Sequence, residues 1–563
     1  MNKKHLLATL MLASALTLTA CSSGSESDTT DPTTPLAVYD VEAANYQDVG
    51  NGLNASSADS VAVAKDEGVF TFDEKEHSFT NKSAGYRVTV PDDMTVVDMA
   101  DATYRSTLAS DNTRLNIYTQ TLTDDVSADT YLGYSNRFLE NTGDFTKTLD
   151  KTETINERTV HLLAWNRTPV SGVEQDRNHY GIVDIVDGKN VYCFQMSSTK
   201  AISEDTLRAI AESFDTVDPL LDHEAKDYPR FANVRDNLTD ETKELYNTYF
   251  ADDADLTWGV FAPLVGPDSA DDLVAMEDTF DYHFKFALYY TGIQDTYTEN
   301  TIYDTLTHLW ENDTVAELTL QTVNYDAASN RNAVYDILNG EYDDFIRSYA
   351  ADIARFGHPV LFRPFNEMNG DWCNYSAYWA CRDADTYVEL YRYIYNIFEE
   401  EGANKNTLWI WNPNEKSFPN FAWNYADNYY PGDEYVDIVG ITGYNTGSYY
   451  EGETWRSFSD IYEPILAQIE PQYQQPLMIT EFSCATVGGD KAAWVEDMFA
   501  SLDNHPRIKV AIWWDGADKD PATDQIARDY YMDNNPEVVN VFREHFAQEK
   551  QQAAEKAEQE KDN

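Results

Sequence analysis

The sequence predicts an α/β protein, a (β/α)8 barrel preceded by a small α+β domain. Three observations point there. Between about residues 225 and 545, eight short apolar runs alternate with longer amphipathic stretches. Eleven of the twelve tryptophans fall in that part, from Trp258 to Trp514. Upstream, residues 37–218 instead show period-two apolar runs closed by turn residues, with one amphipathic helix near their end.

Taken in chain order, residues 1–21 read as an export signal. "MNKK" is a short basic start, and "LLATLMLASALTLTA" is an apolar run too short to span a bilayer comfortably. It ends in "LTAC", which resembles a bacterial lipobox, so Cys21 is expected to carry lipid and become the mature N-terminus. An ordinary secretory signal that contains a cysteine is the alternative. Either way the expected location is extracytoplasmic; with the lipid, the chain is anchored to the cell envelope and touches membrane only there. Residues 22–36 contain "SSGSESDTTDPTTP", a polar tether with nothing to build a core.

In residues 37–218, "GYRVTVP" puts Tyr86, Val88 and Val90 on one face of a strand that stops at Pro91. "RLNIYTQTL" and "RTVHLLAW" read as further strands, and "HYGIVDIVDGKNVYCFQM" as a hairpin turning at Asp187-Gly188. "SEDTLRAIAESF" places Leu207, Ile210, Ala211 and Phe214 on one helical face behind a Ser203 N-cap. No catalytic constellation is visible there. A spacer or adaptor role and a sugar-binding role both remain open.

The barrel strands are expected in "TWGVFAPLV", "HFKFALYY", "VAELTLQTV", "HPVLFRPF", "TLWIWNP", "VDIVGITGY", "PLMITEF" and "IKVAIWW". Two helices are clear between them. "EYDDFIRSYAADIARFG" aligns Tyr342, Phe345, Ile346, Tyr349, Ile353 and Phe356, and "DADTYVELYRYIYNIFEEEG" aligns Tyr387, Tyr391, Ile394 and Phe398 before Gly402. Residues 546–563 form a polar, helix-prone tail without an apolar stripe, expected to be solvated or disordered.

The chain of 563 residues carries a net charge of −58. Such a surface repels phosphate backbones, so no nucleic acid partner is expected, and acidic polysaccharides and anionic lipids are poor ligands. A neutral polymer fits; solubility alone would also explain the charge. Cys193, Cys373, Cys381 and Cys484 show neither CxxC pairs nor His partners at zinc spacing, so no metal is expected. Cys373 and Cys381 are either a disulfide or buried thiols.

In a (β/α)8 barrel, chemistry sits where strands end and loops begin. Glu367 follows the fourth strand and Glu481 ends the seventh, so one mouth holds both. Two carboxyl groups at one cavity are what glycosidic cleavage requires: one protonates the leaving oxygen, the other attacks the anomeric carbon or activates water. Trp372, Trp379, Trp411, Trp423, Trp455, Trp513 and Trp514 lie at or after strand ends, where aromatic faces can pack on the C–H faces of sugar rings.

"LFRPFNEMNGDW", "VDIVGITGYN" and "MITEFSCATVGGDKAAW" together resemble glycoside hydrolase family 26, a family of β-mannanases in clan A. The resemblance covers the barrel. It implies a retaining, endo-acting enzyme on mannan-type polysaccharide, without a cofactor, and a monomer is expected. It implies Glu367 as general acid/base, Glu481 as nucleophile, Tyr444 as a donor to that nucleophile and Arg363 beneath it. Trp372 and a tryptophan ending strand eight, Trp513 or Trp514, would line sugar subsites. Asn366 departs from the His common in the family before the acid Glu. It would meet the sugar 2-hydroxyl, which is axial in mannose and equatorial in glucose and xylose, so β-glucan and xylan stay open as substrates. A non-catalytic glycan-binding lipoprotein and a transglycosylase are the competing readings.

Overall fold

The computed structural model describes residues 70–73, 75–98, 104–219, 235–261, 270–294, 296–322 and 332–561. The signal segment, Cys21, the tether and residues 37–69 lie outside them.

Eight parallel strands close into a barrel, each paired with the next in sequence and the last with the first. They are β1 (Thr257–Phe261), β2 (Phe286–Ile293), β3 (Val315–Thr322), β4 (Val360–Pro364), β5 (Thr407–Trp411), β6 (Ile438–Asn445), β7 (Leu477–Cys484) and β8 (Ile508–Trp514). Each falls within or against its apolar run. Parallel barrel strands are buried on both faces, which is why they read as continuous rather than alternating apolar sequence. Alternation still sorts the side chains. Leu361, Leu408, Ile410, Met478, Val510 and Ile512 fill the barrel interior, while Val360, Phe362, Trp409, Ile479 and Ala511 face the surrounding layer. The helix Asp240–Tyr249 closes the floor: Leu245 and Phe250 join the interior cluster.

The two helices read from the sequence form over Asp343–Phe356 and Asp385–Glu400. Between β5 and β6 the chain uses short 3-10 turns instead, at Ala422–Asn424, Ala426–Tyr429 and Asp433–Tyr435. Pro536–Lys561 is a single helix, so the helix-prone tail is helical rather than disordered, and its residues 551–556 are exposed. The helix is fixed by buried Phe542 and Phe546 in its first half and by Glu549, which accepts from Trp258 Nε1 at 2.9 Å.

Upstream, seven antiparallel strands between Thr95 and Ser198 form one sheet, beside a small four-stranded one. The Asp187-Gly188 hairpin joins His179–Asp187 to Asn190–Ser198, and Ser203 caps the helix Glu204–Ser213. The larger sheet is buried on both faces. Leu162, Phe194 and Met196 pack under that helix, while Leu163, Trp165 and Cys193 point the other way, into the core shared with the barrel. Among the described residues no helix is long and apolar enough to cross a membrane. Cys193, Cys373, Cys381 and Cys484 are buried free thiols, which resolves the Cys373–Cys381 alternative.

Candidate active site

Arg363 enters the barrel by simple alternation from Leu361. Glu481 does not. Counting from inward Met478, alternation would aim residue 481 outward. The register shifts between β6 and β7, so that Ile441 pairs with Ile479 and Thr442 with Glu481. Thr480 is the extra residue of this β-bulge, and the bulge re-aims Glu481 inward while Phe482 packs outside.

There Glu481 is 2% exposed and sits in a cage of donors. Arg363 Nη2 donates at 2.9 Å, Tyr444 OH donates at 2.6 Å, and Tyr290 OH donates to Oε2. Three donors suit an ionised carboxylate, which can only accept. Burial, then the Glu481 charge, push both phenols well above their usual value, so they stay protonated and keep donating.

Glu367 lies on the turn just past β4. Phe365 and Glu367 both hold left-handed backbone conformations, φ 54° and 56°, unusual for residues with a Cβ. Such conformations cost about 1–3 kcal/mol each and persist where surrounding bonds impose them. Here the Glu367 amide donates to Asn412 O at 2.8 Å, and the Gly370 amide donates to Glu367 O at 2.9 Å. Asn414 Nδ2 donates to Glu367 Oε1 at 2.7 Å, and Trp372 Nε1 reaches Oε2 at 3.4 Å. The Trp372 ring lies so close over Gly370 that a Cβ there would come within 2.4 Å of it. Burial, and next the nearby Glu481 charge, push the Glu367 carboxyl up to about 7. One mouth thus holds two carboxyl groups in opposite settings, one ringed by donors and one poised to carry a proton near neutral pH.

A third carboxyl sits below. Glu317, on β3, is fully buried, with Oε1 2.8 Å from Arg363 Nε. That N–H is directed at Thr319 Oγ1 instead, and among the described residues Glu317 accepts no hydrogen bond. One guanidinium cannot neutralise two buried carboxylates. Burial pushes Glu317 up to about 8, against the pull of Arg363. A carboxyl raised in the fold holds its proton while its unfolded counterpart has lost it, so stability falls as pH rises from about 4.5 through 8. The Glu317→Gln variant is expected to flatten that part of the melting-temperature profile. Parallel profiles for the two proteins would refute it.

The structure brings Glu367, Glu481, Arg363, Tyr444, Asn366 and Trp372 together. Asn366 is buried and fixed: Gln321 Nε2 donates to its Oδ1 at 2.8 Å, and Tyr375 OH donates to its carbonyl at 2.6 Å. Trp514 faces the interior, 7% exposed, stacked on Phe261 and edge-on to Tyr444. Trp513 is a correction. It points outward, fully buried against Phe482, Trp494 and Phe542, with its indole donating to Tyr530 O. Neighbours on a strand face opposite ways, so only one of the two can reach the mouth. Trp411 and Trp423 are likewise fully buried and offer no face to a ligand. Sequence reasoning missed Tyr290, Glu317, Asn412 and Asn414. Asn412 and Asn414 carried a signal, "NPN" directly after strand five; Tyr290 and Glu317 lay inside apolar runs.

Residues 310–510 match the model of glycosyl hydrolase family 26. Endoglucanase H of Acetivibrio thermocellus is 31% identical over 213 residues, covering 37% of this chain and 22% of that protein. A mannan endo-1,4-beta-mannosidase of Bacillus subtilis is 35% identical over 101 residues, covering 16% of this chain and 25% of its own. The chain thus spans about a quarter of the length of these relatives. Among solved structures, the catalytic domain of the Bacillus sp. JAMB-750 endo-beta-1,4-mannanase aligns at TM-score 0.43 and 20% identity, over 56% of this chain and 92% of that one.

Proposed function

We propose that the chain, whose residues 310–510 match the model of glycosyl hydrolase family 26, is a retaining, endo-acting glycoside hydrolase cleaving β-1,4-mannosidic bonds by double displacement. The observation that carries this is the contrast between Glu481 in its donor cage and Glu367 held near neutrality. Glu481 attacks the anomeric carbon while Glu367 protonates the leaving oxygen. Glu367 then takes a proton from the water that releases the glycosyl-enzyme. Arg363, Tyr444 and Tyr290 orient the nucleophile, and Asn414 and Trp372 orient the acid. Trp514 supplies an aromatic wall. The strongly negative surface suits a neutral polymer.

β-Glucan ranks second to mannan as substrate, raised by Asn366 and by the likeness to a protein named an endoglucanase. Purified protein is to be offered glucomannan, galactomannan, mixed-linkage β-glucan and xylan. Short manno-oligosaccharides are the expected products. Products from β-glucan or xylan alone would move the substrate and keep the mechanism. Binding without products would favour a lectin, and longer products than the substrate a transglycosylase. "LTAC" supports a lipid-anchored, extracytoplasmic location through Cys21.

A further inference from the structure

We infer that the upstream sheet module is a positioning element of the cleft, holding the aromatic residues that meet the leaving-group side of the substrate. This rests on the proposed roles of Glu367 and Glu481.

The leaving group departs beside the acid, Glu367. Trp372 touches that acid, and Phe418 lies 5.3 Å from Trp372, ring to ring, and is 43% exposed. The two rings stand on different loops, one after β4 and one after β5. The loops are tied together: the Phe418 amide donates to Asn369 O, and Asn369 Nδ2 donates to Asn414 O at 3.1 Å. Both are also gripped from outside the barrel. Tyr134, on the module helix Ala128–Ser135, donates to Asp371, the neighbour of Trp372. Gln120 holds the chain just after Phe418, donating to Asn420 O at 3.1 Å and accepting from the Ala422 amide at 3.1 Å.

Behind these contacts the interface is anchored like a core. Arg382, in the loop after β4, and Asp184, on the module sheet, form an ion pair with both side chains fully buried. Tyr131 packs edge-on to Phe421 at 4.7 Å, and Trp423 Nε1 donates to Ser135 Oγ at 3.1 Å. A module that merely spaced the barrel from its anchor would need none of this. The two rings pack on one another, tilted by 53°; a rigid frame on the two loops fixes the joint aromatic surface they form, and the shape of that surface selects the sugar that meets it.

The test uses the full chain with Tyr134→Phe, Gln120→Ala and the double variant, all at positions away from the reacting atoms. Two substrates are compared: glucomannan, and an activated aryl glycoside with no sugar beyond the cleaved bond. For glucomannan the double variant is expected to raise KM roughly five- to tenfold, the scale of one ordinary hydrogen bond, with kcat nearly unchanged. On the aryl glycoside both parameters are expected to hold. Deuterium uptake should rise in residues 369–382 and 418–424 alone. Unchanged KM on glucomannan, or equal losses on both substrates, would overturn the inference while leaving the hydrolase reading intact. A wild-type protein that cleaves neither substrate would overturn both.

Discussion

Replacing Glu481 by glutamine is expected to lower turnover by at least about 10⁴-fold on every substrate, the aryl glycoside included. No covalent bond to the anomeric carbon can form without the carboxylate. Glutamine keeps the shape and some of the hydrogen bonds from Tyr444 and Tyr290. Either substitution removes a charge from beside buried Arg363, and Glu317, 2.8 Å from its Nε, can supply one in its place; alanine alone also leaves a void. A melting curve near that of the wild type should therefore accompany the inactive Gln variant. Turnover within tenfold of wild type would remove Glu481 from the nucleophile role.

Glu367→Ala is expected to divide substrates by leaving group. A sugar leaving group needs its oxygen protonated, so its turnover should fall by about 10²–10⁴-fold, whereas an activated aryloxide leaves without help and its glycosylation step should hold far better. The pH dependence supplies a second reading. The acid works protonated and its carboxyl is pushed up to about 7. Wild-type kcat/KM on a polysaccharide should therefore decline as pH rises through about 7, and the variant should lack that decline. Equal losses on both substrate types, or a surviving decline, would reassign the proton donor.

The barrel was legible because its strands are continuous apolar runs of the right length and spacing, and the site because two glutamates ended such runs. Trp513 and Trp514 show where legibility stopped. Two adjacent tryptophans at a strand end are equivalent in sequence, and only the register of β8 against β1 assigns one to the mouth and one to the helical layer. Trp411 and Trp423 failed for a related reason. A tryptophan after a strand end stacks on sugar only if nothing else covers it, and here other parts of the chain do. The C-terminal tail read as polar and unsupported because its supports, Trp258 among them, lie far away in sequence.

By itself the sequence determined the eightfold strand pattern, the pair of carboxyl groups and the residues flanking them, since local periodicity and motif spacing are properties of the chain alone. The tertiary structure decided which way each group faces and what surrounds it. A one-residue bulge at Thr480 turns Glu481 into the barrel. Glu317, hidden in an apolar run, shares Arg363 with Glu481. A sheet and helix of a module more than a hundred residues upstream grip the loops that bear Trp372 and Phe418. Orientation, charge sharing and buttressing depend on contacts between distant segments, which no local pattern encodes.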